Sequence, residues 1–353
     1  MAGQDIIVVG ASAGGVEALS RLVGDLPDDL PAAVFIVLHM AAHTGTALPR
    51  ILARRTKLPV GHPRDGEPIK PARIYVAVPD RHLILGRGVV RVANGSTENG
   101  HRPAVDTLFR TAAAGYGPRV VGVVLSGTRD DGTAGLRAIH ARGGTVIVQD
   151  PDEALFPGMP QSALAGDHPD FVVPVGEIGA LLSKLARDGL PQEGRSDAMP
   201  DALDAELRWA HAGLEGPAPA DPPLGTPSGF TCPECHGGLW EIDDCGFPRY
   251  RCRVGHGFSV DSLLVTQRAD VEAALWIAYR ALEERSALCG RLAGRARTRH
   301  ADITAEHFRV EADDVARQAE ILLVLLWSKE ETRDPEAEPT VSRAEPAPEG
   351  SAP

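Results

Sequence analysis

Three polar side chains stand where apolar runs end, and together they have the makings of nucleophilic chemistry. Ser12 lies in Gly10-Ala11-Ser12-Ala13-Gly14-Gly15, directly after the run Ile6 to Val9 and ahead of a helical pattern. A dinucleotide-binding turn needs glycine at the second position of Gly-x-Gly-x-x-Gly, where pyrophosphate approaches the backbone, and that position is Ser12. The same residues satisfy Gly-x-Ser-x-Gly, a tight strand-to-helix turn that exposes a serine hydroxyl near helical amides. A purely structural turn is the bland alternative. A serine needs a base at neutral pH. His39 ends the next apolar run, Val34 to Leu38, at a distance of about one βαβ unit, so both residues should emerge at one carboxyl edge of a sheet. His43 lies beyond the strand end and is less well placed. The base in turn needs an orienting carboxylate. Ser126-Gly127-Thr128-Arg129-Asp130-Asp131-Gly132 follows the run Val120 to Leu125 and precedes a helical pattern. Spacing does not choose between Asp130 and Asp131, and either would also serve as a helix cap. The order serine, histidine, aspartate is not that of the α/β-hydrolases, chymotrypsin or subtilisin.

A second constellation is Cys232-x2-Cys235 with Cys252-x3-His256, a spacing at which two knuckles close a tetrahedral site. A structural zinc ion is expected on Cys232, Cys235, Cys252 and His256, with Cys245 or His236 as alternatives for the fourth ligand. The metal would also explain how about 30 residues order themselves with so little apolar surface. Trp240, Phe247, Tyr250 and Phe258 are expected to pack around it. All five cysteines fall after residue 231, a lopsided and odd set that speaks against a disulfide framework and for a reducing compartment.

The elements that must position these groups follow from the apolar pattern. Residues 1–188 alternate β-branched runs with amphipathic stretches, which predicts a doubly wound, mostly parallel α/β sheet. Strands are expected at Ile6–Val9, Ala33–Leu38, Arg119–Leu125, Thr145–Gln149 and Phe171–Val175. Helices are expected at Gly14–Val23, Thr133–Ala141 and Glu177–Arg187, and Ile74–Val78 with Leu83–Val92 reads as an antiparallel hairpin turning at Pro79-Asp80. Residues 189–228 read as a proline-rich linker holding one helix around Ala202 to Ala212. The zinc-ribbon-like unit occupies 229–260. Residues 261–328 read as an α-helical hairpin breaking near Gly290 to Ala301, serving as core, oligomerisation surface or receptor-helix surface. Residues 329–353 read as a disordered acidic tail.

The 353 residues carry a net charge of −12, which disfavours nucleic acid unless a local basic patch exists. Arg249, Arg251 and Arg253 would form one, but Glu234, Glu241, Asp243 and Asp244 nearly cancel it. No apolar run approaches membrane-spanning length and no leader pattern opens the chain, so a cytoplasmic protein without membrane insertion is expected.

Six segments resemble one family. Ile7–Gly15, Ile36–His39, Arg73–His82, Arg102–Phe109, Leu125–Gly132 and Gln149–Pro160 are similar, in order, to the CheB-type protein-glutamate methylesterases of bacterial chemotaxis. The resemblance spans about residues 4 to 188. It implies Ser12 as nucleophile, His39 as base and Asp131 as orienting acid, without a catalytic cofactor. The implied reaction is hydrolysis of glutamyl methyl esters on chemoreceptor-type proteins, releasing methanol, with glutamine deamidation as a related activity. The oxyanion donors fall on the backbone amides of Ala13 and Thr128. Threonine often follows the serine in that family and Gly-Met-Gly often precedes the aspartate, whereas this chain has Ala13 and Gly127-Thr128-Arg129. These residues also lack the family's receiver domain, so aspartyl phosphorylation is not expected to gate the site. The competing expectation is a catalytically weak docking module on the same fold.

Overall fold

The computed structural model describes residues 3–40, 47–166, 169–188, 225–244 and 247–330. The chain divides into two compact units, Met1–Ile277 and Ala278–Pro353. The first unit opens with β1 (Ile6–Ala11), α1 (Gly15–Gly24) and β2 (Ala33–Leu38). Then come α2 (Leu48–Leu52), β3 (Val60–Gly61), β4 (Glu67–Pro68), β5 (Arg73–Val76), β6 (His82–Leu85) and β7 (Val89–Ala93). They are followed by α3 (Val105–Tyr116), β8 (Val120–Val124), α4 (Thr133–Ala141), β9 (Thr145–Gln149), α5 (Gly158–Gly166), β10 (Phe171–Val173) and α6 (Val175–Arg187).

Seven strands form one sheet in the order β10-β9-β8-β1-β2-β5-β3, and every pairing in it is parallel. Both faces are covered, which is why the strands read as unbroken apolar runs. Ile7, Val9 and Ala11 face a layer built with Leu19 and Leu22 of α1 and Ile178 and Leu182 of α6. Ile6 and Val8 face the opposite layer, with Leu108 and Phe109 of α3 and Leu136 and Ile139 of α4. The strands flanking β1 are β2 on one side and β8 on the other, so the chain winds away from β1 in both directions. In such sheets the crevice at the carboxyl end of the switch strand is the natural site.

The expected hairpin of Ile74–Val78 with Leu83–Val92 is not formed. β5 instead pairs in parallel with β2 in the main sheet, Val34 opposite Ile74. β6 and β7 pair with each other, and β4 joins them in a separate three-stranded antiparallel sheet. The turn between them contains Gly88 at φ 75°, whereas Pro79-Asp80 carries the chain from one sheet to the other.

The segment 189–224, with the helix expected around Ala202 to Ala212, lies outside the described residues, as does the tail from 331. The chain resumes with β11 (Thr226–Thr231), β12 (Gly238–Asp244), β13 (Phe247–Cys252) and β14 (Gly257–Ser259), a four-stranded antiparallel ribbon. Two long helices, Val260–Thr298 and Asp302–Glu330, complete the described residues, breaking at 299–301, with Gly290 and Gly294 kept inside the first. In the second unit an Arg285–Glu311 ion pair and a hydrogen bond from Ser286 Oγ to the Ala312 carbonyl join them. No described helix is long and apolar enough to cross a membrane.

Candidate active site and metal centre

Ser12, His39 and Asp131 follow β1, β2 and β8, three adjacent strands, at their carboxyl ends. The backbone ties these ends together. His39 N donates to the Ala11 carbonyl at 3.1 Å and Ser12 N to the Ser126 carbonyl at 3.0 Å. Two glycines let the turns close. Gly14 has φ 69°, and a Cβ on Gly127 would lie 2.1 Å from Met159 Sδ and 2.9 Å from Ser12 Cβ. Among the described residues, neither Ala13 N nor Thr128 N donates a backbone hydrogen bond.

His39 Nε2 lies 2.7 Å from Asp131 Oδ2. The histidine side chain is only 5% exposed, and its Nδ1 is buried without a partner among the described residues. No Ser12–His39 hydrogen bond is formed. Because a carboxylate accepts at Nε2, that nitrogen carries the proton and Nδ1 presents a lone pair, the tautomer a general base needs. Asp131 also accepts from Val105 N at 2.7 Å, Asp106 N at 3.1 Å and Asn99 Nδ2 at 3.0 Å. Val105 and Asp106 open α3, so Asp131 caps that helix from outside. Burial works to raise the Asp131 carboxyl, but the His39 contact and the Val105 amide hold it well below the usual carboxylate range.

Asp106 returns the arrangement. Its Oδ1 accepts from Gly132 N at 3.0 Å and Gly135 N at 2.7 Å, capping α4. Burial and the charge of Asp131 push Asp106 up to about 7. His101 stacks flat on His39, with ring centroids 3.7 Å apart and planes 8° from parallel, and burial together with the His39 charge pushes it down to about 3. It is therefore neutral at physiological pH. The sequence reading missed His101, Asn99, Glu98 and Asp106. The first three lie in an aperiodic stretch before α3, and Asp106 fell in a matched segment without a role attached. His43 lies outside the described residues.

The second site is in the ribbon. Ligand atoms of Cys232, Cys235, Cys252 and His256 all lie within 4.8 Å of one another. Cys235 Sγ is 3.6 Å from Cys252 Sγ, and His256 Nδ1 is 3.6 Å from the sulfurs of Cys232 and Cys252. A tetrahedral ion with metal–sulfur bonds of about 2.3 Å sets sulfur atoms roughly 3.8 Å apart, so the donor set fits. The other ring nitrogen of His256 faces Glu234 at 3.4 Å, the outer carboxylate such ligands usually have. Cys252 is held down to about 3 by its pairing with Cys232 and, against burial, by His256. His236 is exposed and outside the cluster, and Cys245 lies outside the described residues.

Leu239, Phe258, Leu263 and the half-buried Tyr250 pack around the cysteines as the ribbon core. Phe247 does not join them. It is 42% exposed and lies under the Arg137 guanidinium of α4, 4.0 Å from its ring centre. Trp240 is half-buried and outside that core.

Residues 7–182 match the model of the CheB methylesterase family. A protein-glutamate methylesterase/protein-glutamine glutaminase of Anaeromyxobacter dehalogenans is 38% identical over 183 residues, 52% of this chain and 54% of that protein. A putative protein-glutamate methylesterase/protein-glutamine glutaminase of Leptospira interrogans is 33% identical over 189 residues, 53% of this chain but 98% of that protein. Relatives of the first kind are matched over about half their length. The crystal structure of the Thermotoga maritima CheB methylesterase catalytic domain superposes with a TM-score of 0.50 at 33% identity, covering 52% of this chain and all of that one.

Proposed function

The chain belongs to the CheB methylesterase family, and we propose that it hydrolyses glutamyl methyl esters of a chemoreceptor-type protein by way of Ser12. The observation that carries this reading is the 2.7 Å bond from His39 Nε2 to Asp131, with Nδ1 left bare at the carboxyl edge beside Ser12. Ser12 Oγ attacks the ester carbonyl and gives its proton to His39 Nδ1. The imidazolium is steadied by Asp131. Negative charge on the former carbonyl oxygen is met by the amides of Ala13 and Thr128, so the change of side chains at these positions leaves the donors in place. Collapse of the tetrahedral adduct expels methoxide, which takes the proton from His39 and leaves as methanol. Water, deprotonated by His39, then cleaves the acyl-serine to a free glutamate side chain. A glutamine side chain would pass through the same steps with ammonia leaving.

In the ribbon we assign a structural zinc ion to Cys232, Cys235, Cys252 and His256, since three thiolates and an imidazole at tetrahedral separations suit that ion. Ser12→Ala should lower methanol release from methylated receptor by several orders of magnitude and abolish labelling by a fluorophosphonate probe. An unchanged release rate in that variant overturns the assignment.

A further inference from the structure

A polar path runs from the metal knuckle to Asp131. Thr97 Oγ1 donates to the Glu234 carboxylate, 2.5 and 2.6 Å from its two oxygens, and Glu234 is the outer partner of His256. On the same turn Ser96 Oγ donates to the Val254 carbonyl at 2.8 Å, and Gly257 N donates to the Thr97 carbonyl at 3.2 Å. Asn99 comes next, buried and at φ 53°, with its backbone N–H and both side-chain polar atoms in use. Its backbone N–H donates to the Gly257 carbonyl at 2.8 Å. Its Oδ1 accepts from Ser259 N at 2.9 Å and Ser262 Oγ at 3.0 Å, both contributed by the ribbon and the helix that follows it. Its Nδ2 donates to Asp106 at 3.1 Å and to Asp131 at 3.0 Å.

Beneath this turn, charge is matched across the same boundary. Glu98 receives Arg251 Nη2 at 2.6 Å and Arg249 Nη2 at 3.3 Å from β13, together with Arg110 of α3. All four groups are buried. The basic strand of the ribbon is thus spent on an acidic edge of the sheet domain, leaving little for an external anion. Three residues after Glu98 the turn supplies His101, the ring stacked on His39. One side of the turn therefore rests on the ribbon, while the other holds both the base and its carboxylate.

We propose that the metal-loaded ribbon is a positioning element of the esterase site, with Asn99 as the positioning residue, so that metal occupancy at Cys232, Cys235, Cys252 and His256 sets catalytic competence. This rests on the esterase reading above for its catalytic consequence, but the positioning itself is testable without turnover. An unloaded ribbon has too small a core to stay folded. Its loss withdraws Ser259, Ser262 and Gly257 from Asn99, and Asn99 and His101 then lose their fixed placement.

The test uses the full chain, stripped of metal by a chelator and then reloaded with Zn2+ alone. The proton on His39 Nε2, shared with a carboxylate, gives a far-downfield resonance that reports the His39–Asp131 geometry independently of catalysis. Stripping should broaden or remove it and lower kcat for a small ester at least tenfold with KM within about twofold, and Zn2+ should restore both. Asn99→Ala should reproduce these effects in the loaded protein, and stripping it should add little further loss. Ser262→Ala, a milder change, should shift both readouts in the same direction. Persistence of the resonance and of kcat after the ribbon has unfolded overturns the proposal. Loss of the resonance in a protein whose loaded form shows no Ser12-dependent turnover upholds the positioning and overturns the esterase reading instead.

Discussion

Asp131 accepts four hydrogen bonds, whereas Asp130, one residue earlier, has an oxygen buried with no partner among the described residues. Their carboxyl groups are driven in opposite directions. Burial, with Asp261 and Asp131 nearby, pushes Asp130 up to about 6 from 3.8, in spite of a hydrogen bond from Ser259. A carboxyl group raised in the folded state contributes most below its unfolded value of 3.8 and loses that contribution as pH rises through about 6. Asp130→Asn should therefore raise stability by about 1–2 kcal/mol near pH 7.5, a gain that falls to roughly a third near pH 4.5. Paired urea titrations of the two proteins check this, and taking the difference cancels the acid sensitivity of the metal ligands. An equal gain at both pH values would mean that the Asp130 carboxyl is not raised in the folded protein. The residues alone left the choice between these aspartates open because their difference lies in what reaches them: α3, Asn99 and His39 on one side, Ser259 and Asp261 on the other. Family resemblance pointed to Asp131, and the packing puts that carboxylate, rather than Asp130, on His39 Nε2.

At the scale of elements, the parallel sheet was legible because its strands are buried on both faces and so read as continuous apolar runs. Pairing was less legible. β5 is as apolar as a hairpin strand, and nothing local says that its neighbour is β2 rather than β6. The role of Arg249 and Arg251 was hidden for a similar reason, since their shared partner Glu98 lies about 150 residues away in sequence. Three elements meet at that carboxylate: the turn before α3, α3 itself and β13. Burial tends to raise Glu98, but Arg110, Arg251 and Arg249 hold it well below the usual range. Its stabilising contribution is accordingly full above the ordinary glutamate value and is lost only as pH falls through the depressed one. Glu98→Ala leaves three buried guanidinium groups without their common counter-ion and should cost about 3–5 kcal/mol. Adding Arg251→Met should recover part of that loss, because the two residues are coupled. Denaturant midpoints of the single and double variants measure both, and strict additivity would contradict the coupling.

For the molecule as a whole, the question is how far the sheet domain depends on the ribbon. One core layer of the main sheet ends at Ala186 and the other at Leu164, and the Leptospira interrogans relative is matched over 98% of its own length by 189 residues of this chain. A fragment comprising residues 1–188 should therefore fold. What it lacks is the cover over Glu98, Asn99 and Arg110. In the intact chain the ribbon removes these groups from water, and desolvation is what makes an unpaired charge costly there. In the fragment, water reaches the turn and solvates whatever charge is left. The same Glu98→Ala substitution should thus cost under about 1 kcal/mol in the fragment, against about 3–5 kcal/mol in the full chain. Urea unfolding of the four proteins, with the full chain loaded with Zn2+, decides the matter. Equal costs in both backgrounds would place the penalty inside the sheet domain, at Arg110 alone, and would remove the ribbon from the energetics of the active-site turn.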